Sequence, residues 1–160
     1  YPDQPTLCQE SAMDEGQRTE FLAQFLARDG KPLLGFAVLG GVFGEGVDLT
    51  GESLIGVAVV SPGLPQIGPR QEQLRDYFEE TRGAGFDYAY RYPGMNKVLQ
   101  AAGRVIRTPQ DRGVVLLIDD RFLAPDTRRL MPPHWEHLRV VDSADAWKDE
   151  LAAFWKKNEP

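Results

Sequence analysis

The segment Gln100-Ala101-Ala102-Gly103-Arg104-Val105-Ile106-Arg107 reads QxxGRxxR. On a helix, residues three or four apart share a face, so the spacing predicts that Gln100, Arg104 and Arg107 point one way. Two guanidiniums and an amide aimed at one point suit an oxyanion such as phosphate, because the planar fork of arginine matches phosphate oxygens. Gly103 would let another surface approach that face closely. A solvated basic helix end is the ordinary reading of an isolated RxxR. The fixed spacing from Gln to both arginines, with Gly between them and Asp111 just beyond, is more restrictive.

A second chemistry-bearing stretch is Gly40-Gly41-Val42-Phe43-Gly44-Glu45-Gly46-Val47-Asp48-Leu49, in which four glycines surround two acids. Glycines let the backbone approach a ligand, and successive N–H groups can face an anion. The acids need a ribose hydroxyl, a metal-bound water or a basic side chain as partner. A tight connection between strands with solvated acids accounts for the same residues. No GxxxxGK[ST] phosphate loop occurs in the chain. Leu116-Leu117-Ile118-Asp119-Asp120 resembles a strand ending in metal-binding carboxylates. Without a phosphate loop it does not complete a nucleotide site, so Asp119 or Asp120 is expected to pair with Arg121 or another nearby base. His134 and His137 flank Trp135 among prolines, with no further Cys or His at ligand spacing, and no metal site is expected there.

These residues need a scaffold. A short strand at Thr6–Cys8 precedes a capping-box-like start at Ser11 to Asp14. A helix with Phe21, Leu22, Phe25 and Leu26 at helical spacing follows and ends at Gly30. Pro32 to Leu39 and Leu54 to Val60 read as strands buried on both faces, joined by the glycine-rich loop from Gly40 to Gly51. Ser61 to Pro69 is a Pro/Gly loop, Gln71 to Thr81 a surface helix, and Phe86 to Tyr92 an aromatic cluster before a turn at Pro93-Gly94. Met95 to Ile106 reads as a helix, Val114 to Ile118 and Leu138 to Val141 as further strands, and Ala144 to Lys156 as a final amphipathic helix. Apolar strands alternating with helices predict an α/β fold: three layers (α/β/α) around a mainly parallel sheet. Ligands in such folds sit at loops beyond the strand C-termini.

Together the stretches GGVFGEGVDL, LIGVAVVSPGLP, QAAGRVIRTPQDRG and LLIDDRF resemble helicase motifs V (about residues 40–49) and VI (about 100–113) of the XPD/DinG family. Members of that family are superfamily 2 ATP-dependent DNA helicases, and the DinG-like bacterial branch is the closer resemblance. The likeness runs from about Leu34 to Phe122 and weakens toward Trp135. It implies a RecA-like fold for the whole of residues 1–160, as the second of two motor domains. The opening strand and helix of that domain, the first motor and its phosphate loop would then lie upstream of Tyr1. ATP and Mg²⁺ would bind between the motors, single-stranded DNA would lie across both, and any iron–sulfur cluster would belong to the first. By the same resemblance Arg104 and Arg107 reach the γ-phosphate, and Gln100 orients that face or the attacking water. Gly44, Glu45, Gly46, Asp48 and Gly103 line the nucleotide side, where Glu45 and Asp48 couple nucleotide to the DNA track. Many relatives carry Ser where Gly44 stands, so no Ser-specific role transfers. Ser61 and Gln66 of the loop, and Tyr88 and Tyr90 of the aromatic cluster, are candidate DNA contacts; packing explains the alternating tyrosines equally well.

The resemblance therefore implies a helicase motor half that is inactive by itself. The rival from another class is a degenerate helicase domain kept as a non-catalytic DNA- or protein-binding module. A phosphate loop and acidic box upstream of Tyr1 would separate the two, and QxxGRxxR kept together with GxD favours the motor. Composition sets outer bounds. Hydrophobic residues make up 42% and charged residues 26%, which excludes disorder and collagen-like sequence. The single Cys8 forms no disulfide within the chain and suits a cytoplasmic protein. No apolar run reaches membrane-span length, and no membrane partner is expected. The net charge of −6 argues against nucleic acid if read whole. Between Arg82 and Arg112, however, six basic residues stand against two acids, a local balance of +4.

Overall fold

The computed structural model describes residues 3–26, 31–45, 49 and 53–157. The chain divides into two compact units, Tyr1–Leu130 and Met131–Pro160. The first begins with β1 (Thr6–Cys8), which pairs in parallel with β2 (Leu34–Phe36) across α1 (Glu15–Leu26). Parallel neighbours need such a crossover. The capping box sits three residues later than the sequence suggested. Asp14 Oδ1 accepts the N–H of Gln17 at 2.8 Å while Gln17 Oε1 accepts the N–H of Asp14 at 2.9 Å. Ser11 and Asp14 both have the chemistry of a cap, and only Asp14 is followed by an amide at the third helical position.

Phe21 of α1 is buried against Phe43, with ring centroids 4.5 Å apart, and Leu49 completes that small core. Phe25 lies on β2 so closely that a Cβ at Gly35 would come 2.4 Å from its ring. The strand predicted from Pro32 to Leu39 is confined to Leu34–Phe36, and all three residues are exposed rather than buried on both faces. Beyond Phe36 the ladder stops because the side chain of Gln9 takes the N–H of Val38 at 2.8 Å.

The second strand pair is β3 (Gly56–Val60) with β4 (Val114–Ile118), parallel and in register from Gly56↔Val114 to Val60↔Ile118. The described strands thus form two parallel pairs rather than one continuous sheet. Between β3 and β4 run α3 (Pro69–Arg82), a π-helical turn (Asp87–Arg91) and α4 (Tyr92–Ala102). Gly83 closes α3 in the left-handed region, at φ 61°, and donates to Glu79 O at 2.9 Å.

Pro93-Gly94 is not the turn that its composition suggested. Pro93 sits in the first turn of α4, where a missing N–H costs least. It has no proton to offer the carbonyl of Ala89 one turn earlier, and that carbonyl accepts the Gln71 side-chain amide instead. The helix opens there into the π turn, whose wider bond runs from Tyr92 N to Asp87 O. Met95, Val98, Ala101 and Ala102 form the buried face of α4, which packs against β3 and its buried Val59.

After β4 come a 3₁₀ turn (Asp120–Leu123) and α5 (Pro125–Arg128). Asp87 and Asp126 share Arg91 and Arg129 in an ion-pair network that ties α5 to the π turn. The second unit holds a 3₁₀ turn (Pro133–Trp135) and α6 (Ala144–Lys157). The strand predicted at Leu138 to Val141 does not form. Leu138 N bonds Trp135 O in a turn, and the described residues of this unit include no strand for it to pair with.

Candidate functional site

The glycine-rich stretch is anchored by its apolar members. Gly40 takes a left-handed φ of 74°, and α2 (Val42–Glu45) follows where a plain loop was expected. Phe43 and Leu49 of this stretch are buried. Gly44 and Glu45 lie on α2, whereas Gly46 and Asp48 fall outside the described residues.

The arginine segment departs from expectation. Gln100 is exposed on the last turn of α4, but the helix ends at Ala102, so Arg104 and Arg107 do not continue its face. Gly103 caps it, and Arg104 and Val105 form tighter bonds back to Ala101 and Ala102 at 3.1 Å each. Two downstream contacts hold the chain out of a helix. Asp111 Oδ2 accepts the N–H groups of Arg107 and Thr108, both at 2.8 Å. Buried Val105 presses on Gly113, where a Cβ would stand 2.2 Å from Val105 Cγ1. Side-chain acceptors of this kind compete with helical carbonyls for N–H groups. The same two N–H bonds hold the Asp111 carboxyl below its usual range, so it stays charged at neutral pH. Arg104 and Arg107 are both half-buried, set on one braced turn that leads through Gly113 into β4. Asp111 is the residue whose role was not assigned from sequence, although its place just past the motif was visible.

At the C-terminal ends of β3 and β4, Ser61 adopts φ 73°, unusual for a residue with a side chain. Its hydroxyl accepts from Arg121 Nη2 at 2.8 Å and donates to Pro62 O at 3.2 Å. Asp119 grips the same guanidinium through both oxygens, at 2.8 and 2.7 Å. That charge-assisted pair lowers the Asp119 carboxyl to about 2. The expected partnership of Asp119 with Arg121 is therefore present, and it reaches Ser61 as well. Gln66 is exposed in the loop that follows.

The tyrosines behave as packing. Tyr90 is buried, with its hydroxyl donating to Glu72, and has no open face for a base. Tyr88 stacks on Phe78 with centroids 4.2 Å apart, meets the edge of Tyr92, and has Arg82 over its ring at 5.5 Å. Helical spacing placed against α3, rather than strand-like alternation, decides where these rings go.

Lys97 of α4 was counted in sequence only as one of the local basic residues. Its stem fills the space where Gly40 and Gly63 would carry side chains. Among the described residues no cluster of His, Cys, Asp and Glu could hold a metal ion, and no helix is long and apolar enough to cross a membrane. The guanidiniums of the turn have the planar fork that matches phosphate oxygens.

Parallel strands with interleaved helices, and a braced arginine turn beyond them, define a RecA-like α/β domain. Residues 2–138 match the family described as Helicase C-terminal domain, and the chain belongs to that family. Relatives include Regulator of telomere elongation helicase 1 of Bos taurus, 33% identical over 147 residues and covering 85% of this chain and 12% of that protein. ATP-dependent DNA helicase chl-1 of Caenorhabditis elegans is 35% identical over 106 residues, 64% of this chain and 12% of that protein. ATP-dependent DNA helicase DinG of Photobacterium profundum is 33% identical over 98 residues, 60% of this chain and 14% of that protein. The DinG branch is not singled out, since the bovine relative aligns over more of the chain. Two solved chains share the fold: the XPD helicase, with TM-score 0.60 at 18% identity over 79% of this chain and 23% of its own, and apo XPD, with 0.62 at 19% over 79% and 26%. The chain thus spans 12–14% of the length of these three curated relatives.

Proposed function

We propose that the chain is the second motor domain of an ATP-dependent DNA helicase that moves along single-stranded DNA. In this reading ATP, with Mg²⁺ held by residues of the first motor, supplies the phosphoryl bond whose hydrolysis drives the movement. The chain contributes positive charge. Arg104 and Arg107 stand where charge accumulates on the γ-phosphate, a role worth about 10³ to 10⁵ in rate in well-studied NTPases. Gln100, exposed at the end of α4, orients the attacking water, and the glycine-rich stretch with Glu45 and Asp48 senses the nucleotide. The observation that carries the proposal is the braced turn. Asp111 and Gly113 fix the backbone under Arg107, and such preorganisation is what electrostatic catalysis requires.

The test is Arg107→Ala in the full-length protein. ATP binding should persist while DNA-stimulated hydrolysis collapses. Wild-type turnover in that variant would remove the arginine from the reaction, whereas a wild-type protein with no turnover at all would favour a non-catalytic binding module. The purified 160-residue chain should show no ATPase activity.

A further inference from the structure

Lys97 stands between two loops that belong to different strands. A Cβ at Gly40 would lie 2.6 Å from Lys97 Cδ and 2.8 Å from Cε, and one at Gly63 would lie 3.2 Å from Cδ. Leu39 closes the same spot from the side, with its Cδ2 2.9 Å from that position on Gly63. The turn at Gly40 follows β2, and the loop at Gly63 follows β3. Both lie beyond strand C-termini, where α/β folds gather their ligands. One turn earlier on α4, Gly94 rests on Leu64 and Gly63, so the helix and this loop are already in contact before Lys97 reaches over them.

Such an arrangement immobilises a long side chain, which costs rotamer entropy, and buries its hydrocarbon while leaving the charged end to reach outward. Among the described residues no opposite charge repays that cost. Among the described residues Lys97 makes no ion pair, and the two bracing segments, Leu39 to Gly44 and Ser61 to Gly68, contain no acid. Further along the same loop Gln66 is exposed and Ile67 is 84% exposed. An exposed loop suits an extended polymer better than an enclosed small molecule.

From this geometry we infer that the Lys97 ammonium binds a phosphate oxygen of a single nucleic-acid strand, held at the right height by the glycines at positions 40 and 63. The inference rests on the helicase reading and deepens it. It names a strand contact on the same helix that leads into the arginine turn.

The test uses Lys97→Met and Lys97→Gln in the full-length protein, since both keep most of the stem and remove the charge. Single-stranded DNA affinity is measured across a salt series, and nucleotide affinity with a fluorescent ATP analogue. Losing one phosphate contact should flatten the plot of log affinity against log salt by about 0.7. Nucleotide affinity should stay within experimental error. An unchanged salt slope overturns the inference while leaving the helicase reading intact. A loss of nucleotide affinity with an unchanged slope assigns the ammonium to the nucleotide's phosphates instead and equally overturns it. If the wild-type protein binds no single-stranded DNA, the helicase reading itself fails and the inference falls with it.

Discussion

Asp111 reaches back across the turn to accept the backbone N–H of Arg107 at 2.8 Å. The side chain proposed to meet the γ-phosphate thus depends on a carboxylate that never has to touch the nucleotide. Asp111→Ala in the full-length protein should release two N–H groups and loosen the turn. Misplacing a reacting group by about 1 Å costs on the order of 10²-fold, so kcat should fall by about that factor while the KM for ATP moves little. Steady-state ATPase kinetics decide it, and an unchanged kcat would show that the turn holds without its brace.

Acid sensitivity should trace to the neighbouring strand ends. The Asp119 carboxyl lies at about 2 when folded, against an ordinary value near 3.8, because of its bonds to Arg121. A depressed carboxyl stabilises the fold fully above its unfolded value and loses that contribution as pH falls through its folded one. Asp119→Asn should therefore lower the Tm of the chain at pH 7 and become indistinguishable from wild type as the pH falls toward 2. Thermal melts across that range read it out, and a pH-independent gap would assign the effect to packing.

Gly113 tolerates no side chain while Val105 keeps its own. The 2.2 Å approach to Val105 Cγ1, with the Ile55 carbonyl at 3.0 Å behind it, leaves an added methyl nowhere to go. Gly113→Ala should cost about 1–3 kcal/mol in urea denaturation. Adding Val105→Ala should recover part of that loss, since contacting residues couple. Strict additivity of the two substitutions would contradict the contact.

The aromatic cluster should matter for folding and not for the strand. Tyr88→Leu should lower Tm through its lost stack on Phe78 and leave single-stranded DNA affinity within about twofold. A base stacked on that ring would instead be worth about 1–3 kcal/mol, a difference of at least several-fold in affinity. Tyr90→Phe should likewise lower Tm, by removing the hydroxyl that donates to Glu72.

Local signals in the sequence led to the right elements wherever the deciding residues were near neighbours. The surface helix expected over Gln71 to Thr81 forms as α3, extended to Pro69 and Arg82 because Pro69 suits a first turn and Gly83 a left-handed cap, and the apolar run of β4 breaks where Asp119 begins. Other features depended on distant residues. Helical spacing continues unbroken through Arg107, so only the Asp111 carboxylate and the Val105–Gly113 contact reveal that α4 has stopped. Tyr88, Tyr90 and Tyr92 alternate like a strand, yet α3 draws them into a helical run. Lys97 looks like any lysine on an amphipathic helix until Gly40 and Gly63 are brought to it from remote parts of the chain. The residue types of QxxGRxxR suit phosphate oxygens; the braced turn that carries the two arginines was not legible in them.

The π turn at Asp87–Arg91 has a consequence for sequence register. An α-helix advances about 100° per residue, and this turn accommodates one residue more than a regular helix would. Removing one residue between Asp87 and Arg91 would let the helix run regularly into α4 and preserve the apolar face that α4 sets against β3. Everything before the deletion would swing by about 100° relative to α4, carrying Tyr88 off the edge of Tyr92. A single deleted codon would thus uncouple the aromatic lock on α3 from the helix that delivers the arginines.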